Sequence, residues 1–226
     1  MNRKTSPNFD DRPVDVPVDM LVLHYTGMPS AVDAMERLCD PAAKVSAHYI
    51  IDTDGAVTAL VDEEKRAWHA GVSSWRGQTD VNARSIGIEL VNPGHEFGYM
   101  PFPEQQITAL IELAKDVLAR HAIEPRNVVG HADVAPRRKC DPGELFDWRR
   151  LAATGVGLWP TAFAAHDPGE ADPAKLKAML AAYGYEVEDL AATLTAFQRH
   201  FRPALFNGQA DAETVGLLQN LLDQVS

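Results

Sequence analysis

Two histidines stand directly after short apolar runs. Met20-Leu21-Val22-Leu23 leads into His24, and Asn127-Val128-Val129-Gly130 leads into His131. Ten residues beyond His131, Asp141 sits in Lys139-Cys140-Asp141-Pro142-Gly143, a loop stiffened by proline. Two imidazoles and one carboxylate are the donor set that holds a catalytic zinc and leaves a fourth position for water. Strand ends are where a sheet presents side chains to a cleft, which favours both histidines as contributors. Spacing alone does not select them. Eight histidines and 32 acidic residues offer many such triples, and a hydrogen-bonded structural or surface histidine is the commoner case. A further acid, Glu89, lies inside Ser85-Ile86-Gly87-Ile88-Glu89-Leu90-Val91, where a carboxylate is costly unless it is paired or faces a cavity.

These residues need elements to carry them. Residues 20–23 read as a buried strand feeding the loop His24-Tyr25-Thr26-Gly27, with a helix expected over 31–38. The segments 47–51 and 56–61 flank Asp52-Thr53-Asp54-Gly55, whose Asp-Gly step suits a β-hairpin. Residues 85–91 alternate enough for another strand. Pro103 and Glu104 open a long helix with Ile107, Leu110, Ile111, Ala114, Val117 and Leu118 on one face, and 127–131 is a further strand. The first 19 residues, rich in Pro and Asp, read as an irregular lead-in. Interleaved strands and helices make the first two thirds an α/β layer structure.

The composition shifts at 167–173, which reads as a linker between a first domain, 1–166, and a second, 173–226. Leu176, Met179, Leu180 and Tyr183 share one helical face that stops at Gly184. Asp189 can cap a second helix bearing Leu190, Leu194, Phe197 and Phe201, and Asp211 a third bearing Val215, Leu218 and Leu222. The expectation is a small three-helix bundle docked as a satellite. Deleting it should leave a folded first domain with its site, since every candidate group precedes the linker; the alternative is that the docked bundle covers apolar surface whose exposure causes aggregation.

Composition narrows the function. With 46% hydrophobic and 23% charged residues and a mean hydropathy of −0.21, the 226-residue chain is that of a folded protein. Twenty-one Lys and Arg against 32 Asp and Glu leave a net charge of −11, which repels nucleic-acid phosphates and anionic lipid headgroups. No stretch approaches the roughly 18 to 20 apolar residues of a membrane span. The first twenty residues hold no apolar signal core, so the expectation is a cytoplasmic location, with a periplasmic or outer-membrane one as the alternative should a leader precede this sequence; no nucleic acid and no membrane insertion are expected, and a monomer is. Cys39 and Cys140 are expected as free thiols. Gly71-Val72-Ser73-Ser74-Trp75 lacks the second glycine of a serine-hydrolase nucleophile elbow.

Six motifs occur in order: Val22-Leu23-His24-Tyr25-Thr26, Ser46-Ala47-His48-Tyr49-Ile50-Ile51, Ala67-Trp68-His69-Ala70-Gly71, Ser85 through Asn92, Val129-Gly130-His131-Ala132-Asp133 and Arg138 through Gly143. Together they resemble the zinc-dependent N-acetylmuramoyl-L-alanine amidases of the AmpD/AmiD type, over roughly residues 18 to 160. The tail, around 196–203 and 207–214, resembles the three-helix peptidoglycan-binding-like domain of the AmiD branch. The resemblance implies an α/β fold with a mixed central β-sheet flanked by helices. It makes His24, His131 and Asp141 the Zn2+ ligands, Glu89 the general base and acid, and Lys139 the stabiliser of the developing oxyanion. Trp68 and His69 become substrate-groove residues, and the partners become peptidoglycan fragments or muropeptides. Some relatives use Cys where this chain has an acid, yet Cys140 is one position out of register, which favours Asp141. The rival reading, a non-catalytic peptidoglycan-recognition module on the same fold, typically loses a ligand that this chain keeps.

Overall fold

The computed structural model describes residues 1–161 and 172–226, so most of the linker reading at 167–173 lies outside the described residues. The chain begins with β1 (Asn2–Arg3), β2 (Phe9–Asp11), β3 (Met20–Tyr25) and α1 (Ala31–Cys39). There follow β4 (Tyr49–Ile51), β5 (Val57–Ala59), β6 (Lys65–Ala67), β7 (Ser74–Trp75), β8 (Gln78–Thr79) and α2 (Val81–Arg84). Next come β9 (Ser85–Leu90), α3 (Gly94–Phe97), α4 (Glu104–Arg120), β10 (Val128–Gly130), α5 (His131–Val134) and α6 (Trp148–Ala153). The last three helices are α7 (Pro173–Tyr183), α8 (Leu190–Phe201) and α9 (Ala212–Gln224). No helix among the described residues is long and apolar enough to cross a membrane.

The main sheet has six strands in the order β1-β5-β4-β9-β3-β10. It is mixed: the β4–β5 hairpin is antiparallel, while β4, β9, β3 and β10 run parallel. Alternation along the central strands divides two faces. Leu21 and Leu23 of β3 join Ile86, Ile88 and Leu90 of β9 in one core, covered by Ile107, Leu110, Leu113, Ala114 and Val117 of α4. The expected α4 face is turned slightly: Leu113 is buried, while Ile111 and Leu118 pack at its margin. Buried Gln106 donates through Nε2 to the carbonyls of Ile51 and Val91, tying α4 to two strand ends.

The opposite face carries Met20, Val22 and His24 of β3 and Ser85, Gly87 and Glu89 of β9. This face is where the C-terminal helices dock. Met20, Val22 and Val129 pack in one core with Trp75, Tyr183, Leu180, Phe197, Phe201, Leu218 and Leu221. Each fully buried side chain of this size is worth about 1.5–3 kcal/mol, so the C-terminal helices are held by several apolar anchors rather than by a surface contact. Their own starts follow the expected chemistry. Asp189 accepts from the Ala192 N–H and Asp211 from the Thr214 N–H.

The irregular lead-in is also corrected. Asn2–Arg3 adds an edge strand parallel to β5, and Phe9–Asp11 pairs antiparallel with Lys65–Ala67. Between β2 and β3, the Arg12 guanidinium donates to the carbonyls of Glu63, Asn82, Ala83 and Ser85 at 2.7–3.1 Å. Charge-assisted hydrogen bonds of this kind fix a segment whose sequence carries no strand period. Cys39 and Cys140 are free thiols.

Candidate metal centre

The parallel register builds the centre. His24 pairs with Glu89 across β3 and β9, and Gly130, which pairs with Leu23, delivers His131 directly beyond β10. All three side chains therefore stand at the carboxyl ends of adjacent parallel strands, where open α/β sheets place their ligands. Asp141 arrives on the loop after α5, whose carbonyl accepts from the Ala132 N–H at 2.9 Å.

His24 Nδ1, His131 Nδ1 and Asp141 Oδ2 form a triangle with edges of 2.9, 3.1 and 3.2 Å. Three ligands at zinc–nitrogen and zinc–oxygen distances of about 2.0–2.1 Å on a tetrahedron would stand about 3.3 Å apart. The three residues are buried and are the group, among the described residues, that could hold a metal ion. Burial and the neighbouring His131 push the His24 imidazole down to about 4, so it is neutral at pH 7. Although burial works the other way, the two imidazoles hold the Asp141 carboxyl far below the usual range.

Hydrogen bonds assign the tautomers. A carbonyl only accepts, so the 3.1 Å contact from His131 Nε2 to the Ala70 carbonyl makes Nε2 the protonated nitrogen and leaves the Nδ1 lone pair facing the centre. For His24 the assignment runs through two more groups. Ser85 Oγ spends its proton on the Val81 carbonyl at 2.6 Å and accepts from His69 Nε2 at 3.1 Å. His69 Nδ1 then accepts from His24 Nε2 at 3.0 Å, and His24 Nδ1 keeps its lone pair. Two lone pairs and a carboxylate oxygen converge with no proton between them, a donor set that fits a cation.

This relay adds to the expectation for His69. Both of its ring nitrogens are occupied inside the protein, so it supports His24 from behind while its ring also lines the cleft over the centre. Its slot exists because residue 87 is glycine: a Cβ there would lie 2.5 Å from the His69 Cγ. The Asn82 side chain accepts from the N–H groups of both His69 and Ala70, so one dipeptide fixes both imidazoles. Ser85, Asn82 and Gly87 were missed as supports by sequence reasoning. The alternation of small or polar Ser85, Gly87 and Glu89 with Ile86, Ile88 and Leu90 was the available signal.

A cleft of about 570 Å³ opens over the centre, with Glu89, Lys139 and Trp68 in its lining. Burial and the Asp141 charge push the Glu89 carboxyl well above its ordinary range, while the Lys139 ammonium pulls it back. Glu89 Oε2 is buried without a hydrogen-bond partner among the described residues. Lys139 is exposed at the lip, and the Trp68 indole N–H is anchored to Asp10 at 2.7 Å. Cys140 turns away from the ligands, its Sγ 3.2 Å from the Tyr25 hydroxyl and 3.5 Å from His95 Nδ1. His48 is a packing residue, accepting through Nδ1 from the Gly87 N–H.

Comparison with known proteins bears on this geometry. A family model described as N-acetylmuramoyl-L-alanine amidase matches residues 14–144. The N-acetylmuramoyl-L-alanine amidase AmiD of Escherichia coli is 43% identical over 234 residues, covering 92% of this chain and 83% of AmiD. The chain belongs to this amidase family. The 1,6-anhydro-N-acetylmuramyl-L-alanine amidase AmpD of Haemophilus influenzae is 36% identical over 66% of this chain and 89% of its own. Among solved structures, E. coli AmiD in complex with its substrate anhydro-N-acetylmuramic acid-L-Ala-D-gamma-Glu-L-Lys superposes with a TM-score of 0.83 at 39% identity, over 96% of this chain and 98% of AmiD. AmpDh3 from Pseudomonas aeruginosa in complex with an anhydromuramic pentapeptide gives 0.84 at 33% identity, over 98% of each chain. The α/β sheet with its flanking helices is thus the fold of these amidases, and like them this chain is an N-acetylmuramoyl-L-alanine amidase.

Proposed function

We propose that this amidase hydrolyses the bond between the lactyl carbonyl of N-acetylmuramic acid, or of its 1,6-anhydro form, and the L-alanine of a stem peptide, with zinc held by His24, His131 and Asp141. The work would belong to peptidoglycan turnover or recycling, with peptidoglycan fragments or muropeptides as substrates. The observation that carries the reading is the convergence of three unprotonated donor atoms within 2.9–3.2 Å at the floor of a cleft that Glu89 and Lys139 also line. AmiD and AmpDh3 solved with anhydromuramyl peptides support the substrate class.

Zinc bound at the three donors would supply Lewis acidity and bring the ionisation of water towards neutral pH. The remaining tasks fall to the chain. Glu89 takes a proton from the attacking water, whose oxygen joins the lactyl carbonyl carbon, and passes the proton to the alanine nitrogen as the C–N bond breaks. The products are a lactyl carboxylate and a free peptide amine. Lys139 lies where its ammonium can meet negative charge developing on the carbonyl oxygen. Trp68 offers an apolar indole at the rim, and His69, which lines the same cleft, holds His24.

The test is zinc content and turnover of an anhydromuramyl-L-alanyl peptide by the same preparation. One zinc per chain is expected, with activity lost to chelator and restored by zinc. Glu89→Ala should keep its zinc and lose on the order of a hundredfold or more in rate. Full turnover by metal-free protein would overturn the mechanism, and normal turnover by Glu89→Ala would remove Glu89 from its role.

A further inference from the structure

The segment that presents His131 is held from a distant part of the chain. Beyond Gly130 the backbone turns at once into α5, and the Asp133 carboxylate reaches back to accept from the Gly130 N–H at 2.7 Å. That bond closes the corner on which His131 stands. The other two partners of Asp133 come from the C-terminal helices and the turn between them. The Tyr185 hydroxyl donates to Oδ1 at 2.6 Å, and His200 Nδ1 to Oδ2 at 2.7 Å. Asp133, Tyr185 and His200 are only 2%, 3% and 5% exposed. A carboxylate buried so deeply keeps one orientation only while donors meet both oxygens.

The same helix reaches the other ligand-bearing segment. The His200 ring stacks on Trp148 at 3.8 Å, and a Cβ on Gly130 would lie 3.2 Å from that indole. Arg199 Nε stands 3.5 Å from Glu144, three residues past Asp141. Helix α8 therefore bears on the corner before His131 and on the loop after Asp141, although none of its residues lines the cleft.

We propose that Tyr185 and His200 are positioning residues for the metal centre: they fix Asp133, Asp133 fixes the Gly130–His131 corner, and the corner aims His131 Nδ1. The C-terminal helices are then a part of the centre, independently of any hold on polymeric cell wall. This inference rests on the reading of His24, His131 and Asp141 as zinc ligands.

Full-length Tyr185→Phe, His200→Leu and His200→Asn test it, with zinc affinity from chelator competition and the zinc release rate measured beside turnover and melting of the metal-free protein. Tyr185→Phe and His200→Leu should each weaken zinc binding about 10- to 100-fold, the scale for loss of a group that orients a ligand. His200→Asn places an amide N–H where Nδ1 stands and should recover most of that loss. Variants that melt lower yet bind zinc as the parent does would overturn the proposal and leave Tyr185 and His200 as packing residues. If His200→Leu fails to fold, Tyr185→Phe decides, because it removes one oxygen and keeps the ring. A parent protein that holds no zinc and shows no amidase turnover would sink the functional reading itself, whereas unchanged affinity in an active parent background sinks the positioning role alone.

Discussion

Adjacent residues at the centre have unlike environments. Asp141 Oδ2 faces two imidazole nitrogens, whereas Cys140 Sγ faces the Tyr25 hydroxyl and His95. Asp141→Ala should therefore lose zinc and activity together, because two imidazoles are too few for a three-ligand site. Cys140→Ser should change either by little, since a hydroxyl can replace the thiol beside Tyr25. Metal analysis of the two purified variants checks the pair, and the reverse pattern would overturn the ligand assignment. His69→Leu is predicted to keep the fold but bind zinc about 10- to 100-fold more weakly, because His24 Nε2–H loses its acceptor. Chelator competition against the parent measures it. The positions of His24 and His131 were legible as strand ends, because an apolar run followed by a histidine is a local pattern. The inward turn of His69 was not, because its partners lie 16 and 45 residues away and nothing in the local sequence names them.

Among the elements, β9 does two jobs with one alternation. Its isoleucines and Leu90 enter the core against α4, while Ser85, Gly87 and Glu89 build the centre. Gly87→Ala would set a methyl against the His69 ring, at a cost of about 1–3 kcal/mol for overpacking. The melting temperature of metal-free protein should fall, and zinc affinity with it as His69 is displaced. An alanine variant with parental melting and affinity would show that the slot is roomier than its 2.5 Å contact implies. The caps at Asp189 and Asp211 were readable because capping needs only a short polar side chain at the right step. Strands β1 and β2 were not, since two or three exposed residues held by backbone pairing and by Arg12 carry no hydrophobic period.

Acid stability is set at the same scale. Burial drives the His48 imidazole down to about 3, so below the ordinary histidine pKa of about 6.5 the unfolded chain takes up a proton that the folded chain refuses. Glu63 adds to this at lower pH: burial raises its pKa, but hydrogen bonds from Arg120, Tyr49 and His121 outweigh burial and hold it at about 2. Its contribution is present above about pH 4.5 and is lost as pH falls towards 2. Stability of metal-free protein should thus decline from about pH 6.5 downward, and Glu63→Gln should flatten only the portion below about 4.5. Denaturant melts across pH give the profile, and an unchanged slope in Glu63→Gln would refute that share.

For the whole molecule, the C-terminal helices and one face of the sheet share a core. Three amphipathic helices could be read from spacing, and the structure has them at Pro173–Tyr183, Leu190–Phe201 and Ala212–Gln224. Amphipathicity says that a face is buried without saying against what. The answer here is the main sheet, through Met20, Val22 and Val129, together with Trp75 of the β7–β8 ribbon. A chain ending at residue 161 would expose that apolar face and leave Asp133 short of two donors. It should aggregate or melt well below the full-length protein and bind zinc poorly. A soluble truncation with parental zinc affinity would favour the separable-domain reading instead.

The distance along the chain between Asp133 and its donors also orders events during synthesis. A ribosome releases β3, β9 and β10 long before Tyr185 and His200, and α9 later still. The parallel strands can pair early, yet the face bearing Met20 and Val22 stays uncovered until the final helices leave the exit tunnel. The nascent chain should therefore be able to collect donor atoms before it can hold them still. A growing polypeptide of this kind would gain its finished pocket only after α7, α8 and α9 have emerged, well after the strands that carry its donor atoms are made.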